Sequence, residues 1–114
     1  MGMIFTVAGE EIWDRSLNTG QMFCGQILLV EKLVGAPSGV HDTGWSEVEI
    51  DPPVLRAFLH AVFAYLDSSG SYPLRAMLRG VIHVALFLDA RASGERLPVP
   101  ERFSYLTEGL DLIR

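Results

Sequence analysis

The stretch that decides the fold is DPPVLRAFLHAVFAYLDSSGSYPLRAMLRGVIHVALFLDARASG, residues 51–94. The Asp51 side chain can accept hydrogen bonds from the free backbone N–H groups of a first helical turn. Proline is tolerated in that turn because its missing N–H would have had no partner within the helix. The polar turn at 68–71 is short, and Ser93-Gly94 ends the second helical pattern. These signals predict helices over 51–67 and 73–92 that pack as an antiparallel pair.

Apolar residues recur every three or four positions in both helices, which predicts the faces that pack together. Between Val81 and Leu88 the second helix is apolar on nearly every side, with His83 as the polar break. Such a helix must be covered nearly all round. Two arrangements remain open: its own chain encloses it, or Phe87 or Val84 stays at the surface and joins two copies. The predicted inward residues are Leu55, Phe58, Leu59, Val62, Phe63 and Leu66, then Leu74, Met77, Leu78, Val81, Ile82, Ala85 and Leu88.

Upstream of this pair, two short apolar segments at 3–7 and 12–14 predict a β-hairpin. Ser16 or Asn18 can cap the helix that follows, and Gly35 can end it in a left-handed conformation. The inward positions predicted for this helix are Met22, Phe23, Ile27, Val30, Leu33 and Val34.

Residues 36–45 are irregular, and the alternation of polar and apolar residues over 46–50 predicts one more strand. The expected fold is therefore α+β, with a small antiparallel sheet of about three short strands packed against three main helices. The length of 114 residues fits a single domain, 1–114. Within it, residues 94–114 are either a C-terminal extension with a last short helix or a tail.

Composition restricts the class of partner. The chain is 49% hydrophobic, and its mean hydropathy of +0.27 is high for a small domain, so an apolar patch at the surface is one expectation and an efficiently packed core is the other. The net charge is −5, and the few basic residues form no run. Nucleic-acid binding is therefore not expected.

The single cysteine, Cys24, allows no internal disulfide. The first residues lack the pattern of a signal peptide, and the apolar stretch at 81–88 is too short to cross a bilayer. These features predict a cytoplasmic protein that does not insert into a membrane. Cys24 itself is expected to be a buried structural thiol, the alternative being a nucleophile activated near a helix start.

No catalytic motif, metal-ligand spacing or phosphate loop is recognisable, so no catalytic residue and no cofactor is predicted. The richest segment for binding is 41–45, where His41, Asp42 and Trp45 gather an imidazole, a carboxylate and an aromatic face. If the protein binds a small ligand, His41 and Trp45 are expected to line the site.

A second candidate site pairs Arg79 with His83, one helical turn apart, as Arg56 is paired with His60. Facing each other across the helix pair, these groups could form a shallow anion site. Ordinary solvated helix flanks are the alternative explanation.

Several stretches, in order along the chain, resemble a family of small actinobacterial proteins classed as a domain of unknown function. They are Ile12-Trp13 with Ser16, then Phe23, Gly35 with Pro37-Ser38-Gly39-Val40, Ile50-Asp51, and Leu74-Arg75-Ala76-Met77-Leu78 with Gly80. The resemblance extends to about Arg91 and implies a bacterial, cytoplasmic, single-domain protein. It implies no activity and no catalytic residue.

The function expected from the sequence is that of a small binding or interaction protein, either a homodimer or the partner of another polypeptide. An immunity-like role, in which the chain neutralises a toxin, and a role as a subunit of a complex both fit its size and acidity. The alternative is a small enzyme or ligand carrier with a pocket between the sheet and the helices.

Overall fold

A computed structural model describes residues 2–114. The chain starts with a β-hairpin whose strands, β1 (Gly2–Val7) and β2 (Glu10–Ser16), are joined by a two-residue turn. Ala8 and Gly9 both have positive φ, at 51° and 84°, which is the turn geometry that suits the natural twist of a hairpin. The predicted second strand at 12–14 is therefore the middle of a longer one.

The first helix, α1 (Leu17–Val34), begins and ends where the sequence predicts. Ser16 is the N-cap, and its hydroxyl accepts a hydrogen bond from the Thr19 backbone N–H at 3.3 Å. Gly35 ends the helix at φ 72°, a left-handed conformation that glycine adopts without steric cost.

The sheet differs from the predicted one in two ways. The strand predicted over 46–50 is confirmed as β4 (Glu47–Ile50), but an additional strand, β3 (Val40–Asp42), makes the sheet four-stranded, in the order β2-β1-β4-β3. It is also mixed rather than antiparallel, because β4 lies parallel to β1. The prediction of about three antiparallel strands was therefore wrong in detail, since α1 carries the chain across the sheet and brings β4 back in the direction of β1.

The helix pair of residues 51–94 is confirmed as α2 (Pro52–Ser69) and α3 (Tyr72–Ser93). Asp51 caps α2 by accepting from the Val54 N–H, and Gly94 ends α3 at φ 83°. All six predicted inward residues of α2 are buried. On α3 one assignment was wrong, because Met77 is exposed over 70% of its surface.

Helix α3 is the central helix of the molecule, enclosed by its own chain. Phe87 is only 8% exposed; its ring meets the Trp13 ring edge-on, with centroids 5.5 Å apart, and the Arg91 guanidinium covers it. Val84 is half-buried. The prediction that Phe87 stays at the surface was therefore wrong, because the N-terminal hairpin covers it. Association of two copies through Val84 stays a prediction.

A buried ion pair joins α2 to α3. The Arg56 guanidinium donates to both carboxylate oxygens of Asp89, at 3.3 and 2.8 Å, and Asp89 is 1% exposed. Arg56 also donates to the Ser93 hydroxyl and to the Glu95 carbonyl. The hydrogen bond to Asp89 is the main reason why the pKa of Arg56 is raised further above its already high value. The pair holds the start of α2 to the end of α3 and to the chain that leaves it.

The last part of the chain packs on α3 and is not a loose tail. Two 3₁₀ turns, Glu101–Leu106 and Leu110–Leu112, bury Phe103, Leu106 and Leu110. The Phe103 ring stacks on Phe63 of α2 with centroids 5.5 Å apart.

Candidate functional site

The predicted binding segment at 41–45 divides into a strand and an exposed turn. His41 and Asp42 belong to β3, at one edge of the sheet, where His41 is the register partner of Glu49. Asp42 accepts a hydrogen bond from the Gly44 N–H at 2.9 Å and so closes the turn. Trp45 lies at the tip and is 87% exposed. The structure therefore keeps His41 and Asp42 near concave surfaces and places Trp45 away from them.

Near His41 lies an open depression of about 860 Å³, which we call the His41 cleft. Its walls are the β1–β2 turn, residues 37–41 and the start of α2, and its carboxylates are Glu31, Glu49 and Asp51. Two of these already serve the fold. Glu31 accepts from the backbone N–H and hydroxyl of Ser38, at 2.8 and 2.7 Å, and Asp51 caps α2. The cleft thus combines an apolar lining with acidic groups that are partly engaged.

Arg79 and His83 lie beside the C-terminal 3₁₀ turns. The Nδ1 of His83 is 2.7 Å from the Leu106 carbonyl oxygen, and the Arg79 guanidinium is 3.6 Å from the Glu108 carboxylate. Both side chains thus help to hold the C-terminal turns against α3. Anion binding at this place stays a prediction, and an anion would have to compete with Glu108 for Arg79.

Cys24 lines a second depression, of about 370 Å³, between α1 and β3. We call it the Cys24 depression; Gln21, Gly25 and Leu28 of α1 form one wall, and Val40, His41 and Asp42 form the other. Cys24 is buried. Burial, and to a smaller extent the negative charge of Asp42, raises the pKa of its thiol to about 11.

We expect Cys24 to react slowly with a thiol reagent while the protein is folded. With a pKa of about 11, roughly one thiol in a thousand is ionised at pH 8, whereas about a quarter of an unperturbed thiol with pKa 8.5 is ionised. The labelling rate at pH 8 should therefore rise at least a hundredfold in denaturant. In the folded state it should still be climbing with pH above 9, and Asp42→Asn should increase it modestly. Equal rates in folded and unfolded protein would show an accessible, reactive thiol.

Four large apolar side chains are exposed on one helix, α1, where the sequence did not predict them. Met22 and Leu29 are 65% and 66% exposed, and Leu28 and Leu33 are also exposed. Gly25 lies among them on the same side of the helix. We call these five residues the α1 face. Met22 and Leu33 were assigned to the interior, which was wrong; the inward side of α1 is formed by Gly20, Phe23, Cys24, Ile27 and Val30.

Depressions flank the α1 face on both sides. The Cys24 depression lies toward β3. Toward α3 lies a depression of about 360 Å³, the Trp13 groove, which Trp13, Thr19, Met22 and Val84 help to line. The α1 face is therefore a ridge between two shallow hollows.

The α1 face is also nearly free of charge. Among residues 17–34, all of which are described, the charged residues are Glu31 and Lys32. Glu31 is half-buried and turned toward Ser38, which leaves Lys32 as the exposed charge. Although the net charge of the chain is −5, the exposed side of α1 carries no carboxylate other than the half-buried Glu31.

Residues 2–114 contain no group of three or more His, Cys, Asp or Glu side chains arranged to hold a metal ion. Over the same residues, none of the helices has the length and apolar character needed to span a bilayer.

The fold and the surface together define an α+β protein that combines one mixed sheet with three main helices and leaves one side of a helix apolar and exposed. The chain belongs to a family of unknown function, DUF6086, whose sequence model covers residues 1–111. No curated protein and no solved structure matches the chain.

Proposed function

We propose that the protein is an interaction protein and that another polypeptide covers its α1 face. One observation carries the proposal: four large aliphatic side chains are exposed on one helix, with Lys32 as the single exposed charge beside them. Contiguous exposed apolar surface of this kind marks contact sites in soluble proteins, because covering it releases it from water. An immunity-like role and a role as a subunit of a complex are two forms of this function, in a bacterial, cytoplasmic setting.

Two other occupants of the α1 face fit less well. A helix that binds a membrane surface carries lysines and arginines on its polar side, and its attraction to acidic lipids needs positive charge. Residues 17–34 contain one lysine and no arginine, on a chain of net charge −5. The same charge disfavours nucleic acid. Of the three kinds of partner, another protein whose contact surface has a neutral, apolar centre fits the α1 face best.

Site-specific photo-cross-linking tests the proposal. A photoreactive amino acid at Leu29 should give an adduct with a polypeptide in cells that naturally make the protein. The matched control is Leu112, which is exposed to a similar degree but lies in the last 3₁₀ turn. Mass spectrometry of the Leu29 adduct identifies the partner. Absence of any adduct specific to Leu29 would contradict the proposal.

A second candidate function, carriage or conversion of a small molecule, is favoured by the His41 cleft. Its volume of about 860 Å³ lies in the range of small-molecule sites, although it is open rather than enclosed. Native mass spectrometry of protein purified from its natural source separates the two functions. A retained small molecule that is lost on Val54→Trp, a change at the wall of the cleft, would support the second.

A further inference from the structure

We infer that the polypeptide on the α1 face is a second copy of this chain, with the two α1 helices antiparallel and a two-fold axis passing beside Gly25. The inference rests on the proposed function and names its partner. It follows from the surroundings of Gly25, the register that a two-fold axis imposes, the distribution of charge and the size of the surface.

Gly25 has no role inside its own chain that requires glycine. It lies in the interior of α1, where glycine destabilises a helix relative to alanine. A Cβ added at Gly25 would meet no atom of residues 2–114 within 4 Å. Gly20, on the buried side of the same helix, is different, because a Cβ there would collide with the Met3 side chain. The missing side chain at Gly25 is therefore not needed for packing within the chain. It would let the backbone of a second molecule approach closely.

A two-fold axis at Gly25 fixes which residues meet. In antiparallel helices each residue lies level with the one equally far from Gly25 in the other direction, so Leu28 is level with Met22 of the second copy. Leu29 is level with Gln21. Because helical side chains lean toward their own N-terminus, Leu28 of one copy reaches the Cys24 depression of the other.

The same register places Leu33 of one copy near the start of α1 in the other. There Thr19 helps to line the Trp13 groove. In each copy, Leu28 thus lies at the Cys24 depression of the partner, and Leu33 lies at the Trp13 groove of the partner. This reciprocal fit is what a self-complementary two-fold interface needs.

Charge favours a second copy at this face over a basic partner. Two copies of net charge −5 repel each other least where carboxylates are few. The exposed part of α1 has none, and the two hollows beside it have one between them, Asp42 in the Cys24 depression. The outer edge strand β2 carries Glu10, Glu11 and Asp14, which disfavours pairing of two sheets edge to edge. A basic protein would be attracted to such carboxylates and not to the α1 face.

The area that a dimer must cover includes the two hollows. The 18-residue helix is about 27 Å long and, with its side chains, about 11 Å wide, so its exposed side alone has an area on the order of 300 Å². Each partner in a standard interface buries roughly 800 Å², so the walls of the Cys24 depression and of the Trp13 groove must be covered together with the α1 face.

Sedimentation equilibrium of the whole chain over a wide concentration range tests the inference. We expect a monomer–dimer equilibrium that Leu29→Glu weakens at least a hundredfold and that Gly25→Leu weakens at least tenfold. Leu112→Glu, the same kind of change at another exposed leucine, should leave it unchanged. Circular dichroism should show that all three variants keep the helical content of the parent protein.

Disulfide trapping tests the register. In a Cys24→Ser background, Gly25→Cys should cross-link two copies under mild oxidation. Lys32→Cys should stay reduced, because seven residues on either side of the axis separate the two positions by about 21 Å along the helices. A parent chain that stays monomeric at high micromolar concentration would overturn the inference, and cross-linking of Lys32→Cys alone would overturn the register.

The outcome of this experiment is separate from that of the photo-cross-linking. A monomeric chain whose Leu29 adduct is a different polypeptide would refute the second copy and leave the proposed function in place. A monomeric chain with no adduct specific to Leu29 would refute both.

Discussion

Replacing Phe58 with aspartate is expected to abolish cooperative folding. Phe58 lies on the inward side of α2 and has no exposed surface. Loss of a buried phenylalanine costs about 3–5 kcal/mol, and burying an unpaired carboxylate costs several kcal/mol more. Together these losses are comparable with the whole stability of a small domain, about 5–15 kcal/mol.

Thermal unfolding followed by circular dichroism measures this effect. Phe58→Leu keeps the site apolar and is expected to melt cooperatively at a lower temperature. Leu112→Asp, which places the same charge at an exposed position, should melt as the parent protein does. A cooperative transition of Phe58→Asp near the parent temperature would contradict the packing of α2 described above.

Replacing Arg56 with methionine is expected to lower the free energy of unfolding by about 3–5 kcal/mol. Asp89 is almost completely buried, and Arg56 is the partner that neutralises its charge. Without that partner, Asp89 is left as a desolvated carboxylate between α2 and α3. The double variant Arg56→Met, Asp89→Leu removes both charges and should recover most of the loss, because the cost lies in the unpaired ion.

Urea denaturation measures the difference, and the chain provides a matched control. Arg102 forms a two-pronged pair with Asp67, both hydrogen bonds at 2.6 Å, but both side chains are exposed to water. Exposed pairs contribute little, so Arg102→Met should change stability far less. Equal effects of Arg56→Met and Arg102→Met would show that burial of Asp89 does not matter.

The helix pair could be predicted because its signals are local. Asp51 with its two prolines, and Gly94 at the other end, mark helix boundaries through backbone groups within one turn. The apolar period then predicts which side of α2 is buried. In each case the interaction that decides the structure lies within a few residues of the one that signals it.

The strand pairing could not be predicted in the same way. Strand β3 has three residues, in a segment rich in glycine, and its sequence has no alternation long enough to recognise. The parallel pairing of β1 with β4 depends on how α1 crosses the sheet. The contact of Arg56 with Asp89 is equally non-local, which is why Arg56 was paired with His60 on its own helix instead.

The candidate site shows a different limit. Helix α1 has apolar residues on more than one side, and periodicity alone does not say which side the rest of the chain covers. Met22 and Leu33 were therefore placed inside, although they lie on the α1 face. In the segment 41–45, composition predicts a binding role, which stays a prediction. The positions of His41 and Trp45 follow from a short strand and a turn that the sequence does not reveal.

The parallel pairing of β1 with β4 has a kinetic consequence. β1 lies inside the sheet, with β2 as one neighbour and β4 as the other, and Ile4 of β1 is the register partner of Glu47 in β4. The roughly forty residues between Ile4 and Glu47 must close into a loop before β4 can pair with β1. Closing this loop lowers the entropy of the chain before the new contacts stabilise it. The N-terminal hairpin and the helix pair can form early from local contacts, so docking of β4 on β1 is expected to limit the folding rate. A nascent chain would leave one side of β1 open until β4 has emerged from the ribosome.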